Sequence, residues 1–241
     1  MGEPMEPSAI FEKIEIPLPE PIHGLDHLDG VLGTPEWWPT GERVAVVVAH
    51  AASSDHEAPL IAELCRALTE RSYLTLRFNF PFAQAGKRSS ADSPATLELA
   101  FRAALNTLGR DPTSLPAQLM VGGAGLGGRV AAGLVADRLQ ADGLFLLGFP
   151  LHPQDKPEKS DPEVLFRATA PMLFVQGTRD RRCTPDALRG ALRRVGAPIE
   201  LYDVPEADGN FRVPRKSGRS EEQIHAEIFG VISGWFTRRL G

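Results

Sequence analysis

The stretch that decides the fold runs Leu119-Met120-Val121-Gly122-Gly123-Ala124-Gly125-Leu126-Gly127-Gly128-Arg129-Val130-Ala131-Ala132. It begins with apolar residues, continues through five glycines, and ends in an apolar pattern with helical spacing. A buried strand that passes through glycines into a helix is a typical unit of a parallel α/β sheet. The stretch therefore predicts a strand, a sharp turn and a helix.

The same alternation extends over most of the chain. From Arg43 onward, short β-branched or aromatic runs alternate with longer helical patterns, which is typical of βα units on a mainly parallel sheet. The predicted strands are Val44–Ala49, Leu74–Phe80, Gln118–Gly122, Gly143–Phe149, Met172–Gln176 and Ile199–Val204. The predicted helices are Pro59–Arg71, Ala95–Leu108, Leu126–Leu139, Pro185–Val195 and Glu221–Leu240.

The residues before Arg43 have a different pattern. Ile10–Pro17 and His27–Gly33 read as two short antiparallel strands that are joined by a proline-rich turn and extend one edge of the sheet. No linker divides the chain, and the best loop candidate is Pro150–Pro162. We expect residues 1–241 to form a single α/β domain, with residues 1–42 contributing the antiparallel strands and their loops.

Charge and hydropathy exclude several classes of partner. The chain has 26 Lys and Arg against 31 Asp and Glu, a net charge of −5, and no basic stripe, so we expect no nucleic-acid partner. No apolar run approaches the ~18 residues that suggest a membrane span, so we expect no membrane partner.

Cysteine usage and the N-terminal sequence indicate the compartment. Cys65 and Cys183 are the only two cysteines and lie far apart, which excludes a disulfide framework and fits a reducing environment. The first residues have no apolar signal region. We therefore expect a soluble cytoplasmic protein.

Two interpretations compete for the glycine-rich turn. In a nucleophile elbow, Gly-x-Ser-x-Gly, Gly123 and Gly127 match the flanks, and Gly125 stands where the serine should be. As a dinucleotide fingerprint, Gly123, Gly125 and Gly128 match Gly-x-Gly-x-x-Gly, which also requires an acidic residue about 20 positions later. Asp142 has that spacing but precedes its strand, at the wrong sheet edge. We favour the elbow, expect no cofactor, and keep dinucleotide binding as a weaker hypothesis.

Further motifs extend the comparison along the chain. Jointly, the chain resembles the small dienelactone-hydrolase-like α/β-hydrolases, in the branch with the testis-expressed and KANSL-type hydrolase-like proteins. The resemblance covers the chain from about Arg43 and rests on Val48-Ala49-His50, Leu76-Arg77-Phe78-Asn79-Phe80-Pro81, the stretch from Gly127 to Ala131, Leu147-Gly148-Phe149-Pro150-Leu151-His152-Pro153, Gln176-Gly177-Thr178-Arg179-Asp180 and Pro214-Arg215-Lys216-Ser217-Gly218-Arg219. It implies an α/β-hydrolase fold.

The resemblance also implies where a catalytic triad would lie. These enzymes carry serine, acid and histidine in that chain order. Asp180, after a predicted strand, falls at the acid position, while Gly125 falls at the nucleophile position. The histidine belongs in a loop that here reads Asp208-Gly209-Asn210-Phe211, so Gly209 replaces the base. Two of the three catalytic side chains are therefore expected to be missing.

Other residues are expected around the pocket. The N–H of Leu126, with a donor from the loop His50-Ala51-Ala52, would form an oxyanion hole. His50 and His152 follow predicted strands and would either border the pocket or bond to loop backbone. Asn79, at another strand end, would either shape the pocket or tie loops together.

Alternative chemical groups are few. If Asp180 is buried, it needs a partner, for which Arg179, Arg182 or Lys216 are candidates; otherwise it is solvated. Cys183 lies among arginines that would lower the pKa of its thiol. Ser53 and Ser54 are the nearest other hydroxyls. His50, Asp55 and His56 lack metal-ligand spacing, and no Cys-x-x-Cys motif occurs, so we expect no metal.

These residues favour a degenerate enzyme. A triad works because histidine takes the proton of serine and the acid holds that histidine, so the loss of two members removes both the attacking atom and the base. We expect a pseudoenzyme whose vestigial pocket binds a small molecule or a protein partner. The alternative is an esterase or dienelactone-type hydrolase that uses rearranged residues, so catalytic activity remains open.

Overall fold

The structure is a computed structural model that describes residues 9–36, 38, 43–109 and 115–240. The strands are β1 (Ile10–Ile22), β2 (Leu25–Thr34), β3 (Val44–Ala49), β4 (Leu74–Phe78), β5 (Gln118–Ala124), β6 (Gly143–Leu147), β7 (Met172–Gly177) and β8 (Ile199–Val204). The α-helices are α1 (Pro59–Thr69), α2 (Pro81–Gln84), α3 (Pro94–Leu108), α4 (Leu126–Ala136), α5 (Glu163–Arg167), α6 (Pro185–Leu192) and α7 (Glu221–Leu240).

All eight strands belong to one sheet, in the order β1-β2-β4-β3-β5-β6-β7-β8. From β4 to β8 neighbouring strands are parallel, whereas β2 is antiparallel to both β1 and β4. Helices α1 and α7 pack on one face, and α3, α4 and α6 pack on the other. The predicted fold, a mostly parallel sheet with helices on both faces, is confirmed.

Burial on both faces explains the apolar strands. All six residues of β3, Val-Ala-Val-Val-Val-Ala, are buried, as expected for a central parallel strand. Strand β6 ends two residues before its predicted end because Gly148 turns the backbone to φ 59°. Strand β4 also ends two residues early, since Phe80 already caps α2.

Helix starts follow local sequence closely. Helices α1, α3 and α6 each begin with proline, whose missing N–H is tolerated in the first helical turn. Ser93 and Thr184 cap α3 and α6 by accepting the N–H groups of Thr96 and Ala187. The short helices α2 and α5 were not predicted, since four and five residues show no usable periodicity.

The N-terminal hairpin differs in one respect from the prediction. Its prolines do not form the turn: β1 continues to Ile22, and the chain reverses at His23 and Gly24. Strand β1 is at the edge of the sheet, where a proline can point its ring away from the ladder. Parts of the predicted N-terminal region, residues 1–8, 37 and 39–42, lie outside the described residues.

Within the described ranges, no helix combines the length and apolar character that a membrane span requires.

Candidate functional site

The turn between β5 and α4 consists of Gly125 alone. Its backbone has φ 50° and ψ −111°, a conformation that L-amino-acid side chains rarely adopt. The Gly125 N–H donates to the carbonyl of Leu147 at 2.8 Å, and the Gly127 N–H donates to the carbonyl of His50 at 3.1 Å. The glycine stretch therefore forms a sharp strand-to-helix turn at the carboxyl edge of the sheet.

The glycines in this turn are not equivalent. A Cβ on Gly123 would lie 2.2 Å from the carbonyl oxygen of Ala49, and one on Gly127 would lie 2.4 Å from the same atom. At Gly125, the nearest atom would be the Ala51 Cβ, at 3.5 Å. Packing thus requires glycine at both flanks, whereas the space at position 125 would hold a Cβ without a steric clash.

The acidic residue required for dinucleotide binding lies at the opposite sheet edge. Asp142 Oδ2 accepts the N–H of Leu119 at 2.7 Å, near the start of β5. Gly125 follows the other end of the same strand. As the sequence indicated, Asp142 is therefore out of reach of a ligand bound at the turn.

Asp180 lies in the loop after β7 and is only 3% exposed. Its Oδ2 accepts a hydrogen bond from Gln176 Nε2 at 2.7 Å, and its Oδ1 accepts the N–H of Arg182 at 2.8 Å. Burial raises the pKa of this carboxyl above its ordinary value. The solvated alternative is wrong, and among the described residues no ion pair joins Asp180 to Arg179, Arg182 or Lys216.

Gly209 lies directly against this carboxylate. A Cβ on Gly209 would be 2.6 Å from Asp180 Oδ2 and 2.7 Å from Oδ1, closer than real Cβ contacts come. The loop is held by Asp208, whose Oδ1 accepts the N–H groups of Asn210 at 2.8 Å and Arg212 at 3.0 Å. Asp180 thus fills the space in which a side chain at position 209 would begin.

His50 is fully buried and uses both ring nitrogens locally. Nε2 accepts the N–H of Phe80 at 3.0 Å, and Nδ1 donates to the carbonyl of Ala51 at 2.8 Å. The rings of Phe80 and Phe82 pack against it edge to face. Burial lowers the pKa of His50 to about 4, so the imidazole is neutral. His50 therefore bonds to loop backbone, which was one of its two predicted roles.

Asn79 also joins loops. Its Oδ1 accepts the N–H of His56 at 3.0 Å, and its own N–H donates to the carbonyl of Asp29 at 2.9 Å. Arg77 donates to the carbonyl of His56 at 2.8 Å and reinforces the same connection. These bonds tie the loop after β3 to β4 and β2.

The loop after β6 contains His152. Its N–H donates to the carbonyl of Arg182 at 3.0 Å, and its Nδ1 lies 2.9 Å from the carbonyl of Pro153. Cys183 is fully buried nearby, and burial raises the pKa of its thiol to about 12. The prediction that the neighbouring arginines lower this pKa is therefore wrong, because desolvation raises it and the charge of Asp180 raises it further.

A cavity of about 650 Å³ opens beside the turn. This elbow cavity is enclosed by the loop after β3, the start of α1, the loop 209–212 and the start of α7; its lining residues are Ala51, Ser53, Ser54, Asp55, Glu57, Ala58, Pro59, Leu60, Ile61, Ala124, Gly209, Asn210, Phe211, Arg212, Glu221 and His225. Of the predicted pocket residues, Ala51 and Gly209 line it. His50, Asn79, Leu126 and His152 do not.

Sequence reasoning missed His225 and Glu63. His225 on α7 has a side chain only 5% exposed, and its Nδ1 donates to Glu63 Oε2 on α1 at 2.8 Å. Its Nε2 lies 3.7 Å from Glu221 Oε1. The spacing of Glu221 and His225 on a predicted helix was visible in the sequence, but the contact with Glu63 spans 162 residues and depends on the tertiary fold.

The oxyanion hole that was expected at Leu126 stays a prediction. The Leu126 N–H starts α4 and makes no hydrogen bond with a described residue, but Leu126 does not line the elbow cavity. In the part of the chain that the structure describes, no group of three or more His, Cys, Asp or Glu side chains is arranged to hold a metal ion.

Solved structures share this fold over nearly the whole chain. A dienelactone hydrolase from Anabaena variabilis has a TM-score of 0.70 at 17% identity, covering 98% of this chain and 100% of its own. A lidless α/β serine hydrolase from Xanthomonas campestris has a TM-score of 0.69 at 19% identity, covering 98% and 96%. A dienelactone hydrolase-like promiscuous phosphotriesterase from metagenomic libraries reaches 0.73 at 16%, covering 97% and 99%.

Sequence identities this low show a shared fold but not a shared family, which a family model does show. The model described as an alpha/beta hydrolase domain matches residues 42–237, which is most of the chain. This span contains the turn at Gly125, the Asp180 loop and the Gly209 loop. The chain therefore belongs to the alpha/beta hydrolase family.

Proposed function

We propose that this chain is an α/β hydrolase-fold protein that has lost triad catalysis and uses the elbow cavity to bind a small molecule. The observation that carries the proposal is the contact between Asp180 and Gly209. A catalytic histidine must stand between the acid and the nucleophile. Here the acid occupies the space that such a side chain would need, 2.6 Å from its Cβ position.

The turn supports the same proposal. Gly125 has no atom that could attack a carbonyl carbon, although the space for a side chain persists. Removing triad members from a serine hydrolase leaves at most about 10³–10⁴-fold acceleration over water, from the oxyanion hole and binding. His50 cannot take over as base, because both of its ring nitrogens are bonded to backbone.

The cavity supports a binding role. Its volume lies within the roughly 300–1,000 Å³ range of small-molecule sites. Apolar residues such as Leu60, Ile61 and Phe211 share its wall with polar side chains, which is the usual composition of a ligand pocket. We favour a small molecule over a protein partner because the site is concave.

A second candidate is hydrolysis by rearranged residues. One observation favours it: His225, bonded to Glu63 like a base to its orienting acid, lines the same cavity as the hydroxyls of Ser53 and Ser54. In this alternative, His225 would accept the proton of a serine that attacks an ester.

Ester turnover separates the two candidates. We expect hydrolysis of a broad panel of p-nitrophenyl and fluorescein esters to stay at the level of a matched protein blank, even at high protein concentration. The serine variants Ser53→Ala and Ser54→Ala should leave that background unchanged. Turnover that one of these variants, or His225→Phe, abolishes would instead support the rearranged hydrolase.

We also propose a cytoplasmic location and membership of the branch with the testis-expressed and KANSL-type hydrolase-like proteins. The location is supported by Cys65 and Cys183, which are both free and buried. The branch is supported by the order of the motifs from Val48 to Arg219.

A further inference from the structure

We propose that the elbow cavity takes a small primary amine with an apolar body, and that His225 and Glu221 together hold its ammonium group. This inference rests on the proposed function, since it names the class of molecule that the cavity binds.

The first argument is the unused nitrogen of His225. The side chain is only 5% exposed, and its Nδ1 proton is committed to the Glu63 carboxylate at 2.8 Å. Nε2 makes no hydrogen bond with a described residue, and His225 lines the cavity. A neutral imidazole with its proton on Nδ1 presents a lone pair at Nε2. The cavity wall therefore offers a buried hydrogen-bond acceptor.

The second argument is the distance to Glu221. Oε1 of Glu221 lies 3.7 Å from Nε2, too far for a direct hydrogen bond. The two atoms therefore leave space for a bridging N–H group of a ligand. A group with two or more N–H donors can bond to both acceptors at once. An ammonium has three such donors, whereas a hydroxyl has one.

Charge in the cavity favours a cation. The lining includes three carboxylates, Asp55, Glu57 and Glu221, and one guanidinium, Arg212. Glu57 is paired with Arg77 at 3.0 Å, while Asp55 and Glu221 make no ion pair with a described Lys or Arg side chain. Together with Glu63 behind His225, these carboxylates outnumber the single arginine. An anionic ligand would meet this excess of negative charge.

The apolar part of the cavity wall favours a ligand with an apolar body. Leu60, Ile61, Phe211, Ala51 and Ala124 provide apolar surface within the same cavity. Removal of apolar surface from water contributes roughly 25 cal/mol per Å². An aryl or alkyl group of modest size can therefore add affinity to the ammonium contact.

Three probes of matched shape test the assignment: phenethylamine, 2-phenylethanol and 3-phenylpropionate. Binding of each to the full chain is measured by calorimetry near neutral pH. We expect phenethylamine to bind about fivefold or more tightly than the other two. Glu221→Gln should weaken phenethylamine binding by about fivefold, and His225→Phe by at least as much. Glu222→Gln, an exposed neighbour outside the cavity, is the matched control and should change nothing.

Glu221 is 68% exposed, so its variant should fold even if His225→Phe does not. Equal binding of the three probes, preference for 3-phenylpropionate, no saturable binding of phenethylamine, or no effect of Glu221→Gln would each overturn the amine assignment. Equal binding would leave the proposed function standing. Serine-dependent ester turnover would overturn the proposed function instead, so the two failures are distinguishable.

Discussion

The carboxylate of Asp180 lies against the Cα of Gly209, so closely that a Cβ on residue 209 would be 2.6 Å from Oδ2. Asp180 is buried there and is held by the Gln176 amide and the Arg182 N–H. Any side chain at position 209 would displace this carboxylate. Glycine at position 209 is thus a condition for the observed position of Asp180.

Gly209→Ala tests this contact. The new methyl group must displace a buried, hydrogen-bonded carboxylate, so we expect a loss of about 1–3 kcal/mol in the free energy of unfolding, as for overpacked cores. Urea denaturation measures it. In an Asp180→Ala background the same change should cost much less, because the two positions are in contact.

Gly230→Ala is the matched control for that experiment. Gly230 is exposed on α7, and a Cβ there meets nothing within 4 Å. We expect this variant to be more stable by up to about 1 kcal/mol, since alanine favours helix. Equal costs of Gly209→Ala with and without Asp180 would show that the carboxylate does not occupy the space.

Gly125→Ser tests the turn. The side chain has room, with Ala51 Cβ at 3.5 Å, so the main cost is the left-handed backbone at φ 50°. We expect a loss of about 1–3 kcal/mol in unfolding free energy and no gain of esterase activity, because position 209 carries no side chain and both ring nitrogens of His50 are bonded to backbone. Denaturation and ester turnover check both parts, and efficient turnover by this single variant would reveal an unrecognised base.

Asp180→Asn tests the buried carboxyl. Burial raises the pKa of Asp180 in the folded state above the ordinary 3.8, so the folded protein binds this proton more tightly than the unfolded chain. Its contribution to stability is then most favourable at low pH and falls as the pH rises above 3.8 through the raised pKa. The advantage of Asn over Asp in unfolding free energy should grow over that window. A constant difference across pH would contradict this.

The amide in that variant also has a local partner. Gln176 Oε1 is buried and has no hydrogen-bond partner among the described residues. If the Gln176 amide rotates, its Oε1 can accept an N–H of the side-chain amide introduced by Asp180→Asn. The side-chain oxygen at position 180 still accepts the Arg182 N–H.

His50 should produce a stability change of the opposite direction with pH. Its pKa falls from 6.5 to about 4 on folding because the ring is desolvated, so between these values the unfolded chain binds more protons. Its contribution makes the protein less stable as the pH falls from 6.5 towards 4. NMR of the imidazole nitrogens should show no titration of His50 above about pH 5. A midpoint near the ordinary value of about 6.5 would mean that the ring is solvated.

Both cysteines should be unreactive in the folded protein. Burial raises the pKa of the Cys65 and Cys183 thiols to about 12, so thiolate is scarce at neutral pH. We expect slow reaction with a thiol reagent such as DTNB until denaturant is added, when both thiols react. Fast labelling of Cys183 in the native protein would contradict its burial.

Most of the fold could be predicted from the sequence, because apolar periodicity and helix-starting prolines act over only a few neighbouring residues. The bounds of β3, β8 and α7 were predicted to the residue, and α1 and α6 began at their predicted prolines. Prediction failed where backbone geometry overrode composition. The prolines of β1 lie within an edge strand, and Gly148 turns the chain out of β6 earlier than its apolar sequence suggests.

The site could be predicted only in part. The order of the motifs predicted that Gly125 forms the turn and that Asp180 and Gly209 lie close together. Each of the three residues follows a strand at the carboxyl edge of the sheet. The sequence could not show that buried His50 accepts the N–H of Phe80, or that Glu63 on α1 bonds to His225 on α7. Such contacts join residues far apart in the chain and depend on how helices and loops pack.

If triad catalysis is lost, no serine in this protein is activated for attack. Intact-mass spectrometry of the full chain after incubation with a fluorophosphonate reads this out at the reacting atom, with an active serine hydrolase as positive control. We expect no added mass on this protein while the control is fully labelled. Stoichiometric labelling that Ser53→Ala, Ser54→Ala or His225→Phe abolishes would contradict the loss of catalysis.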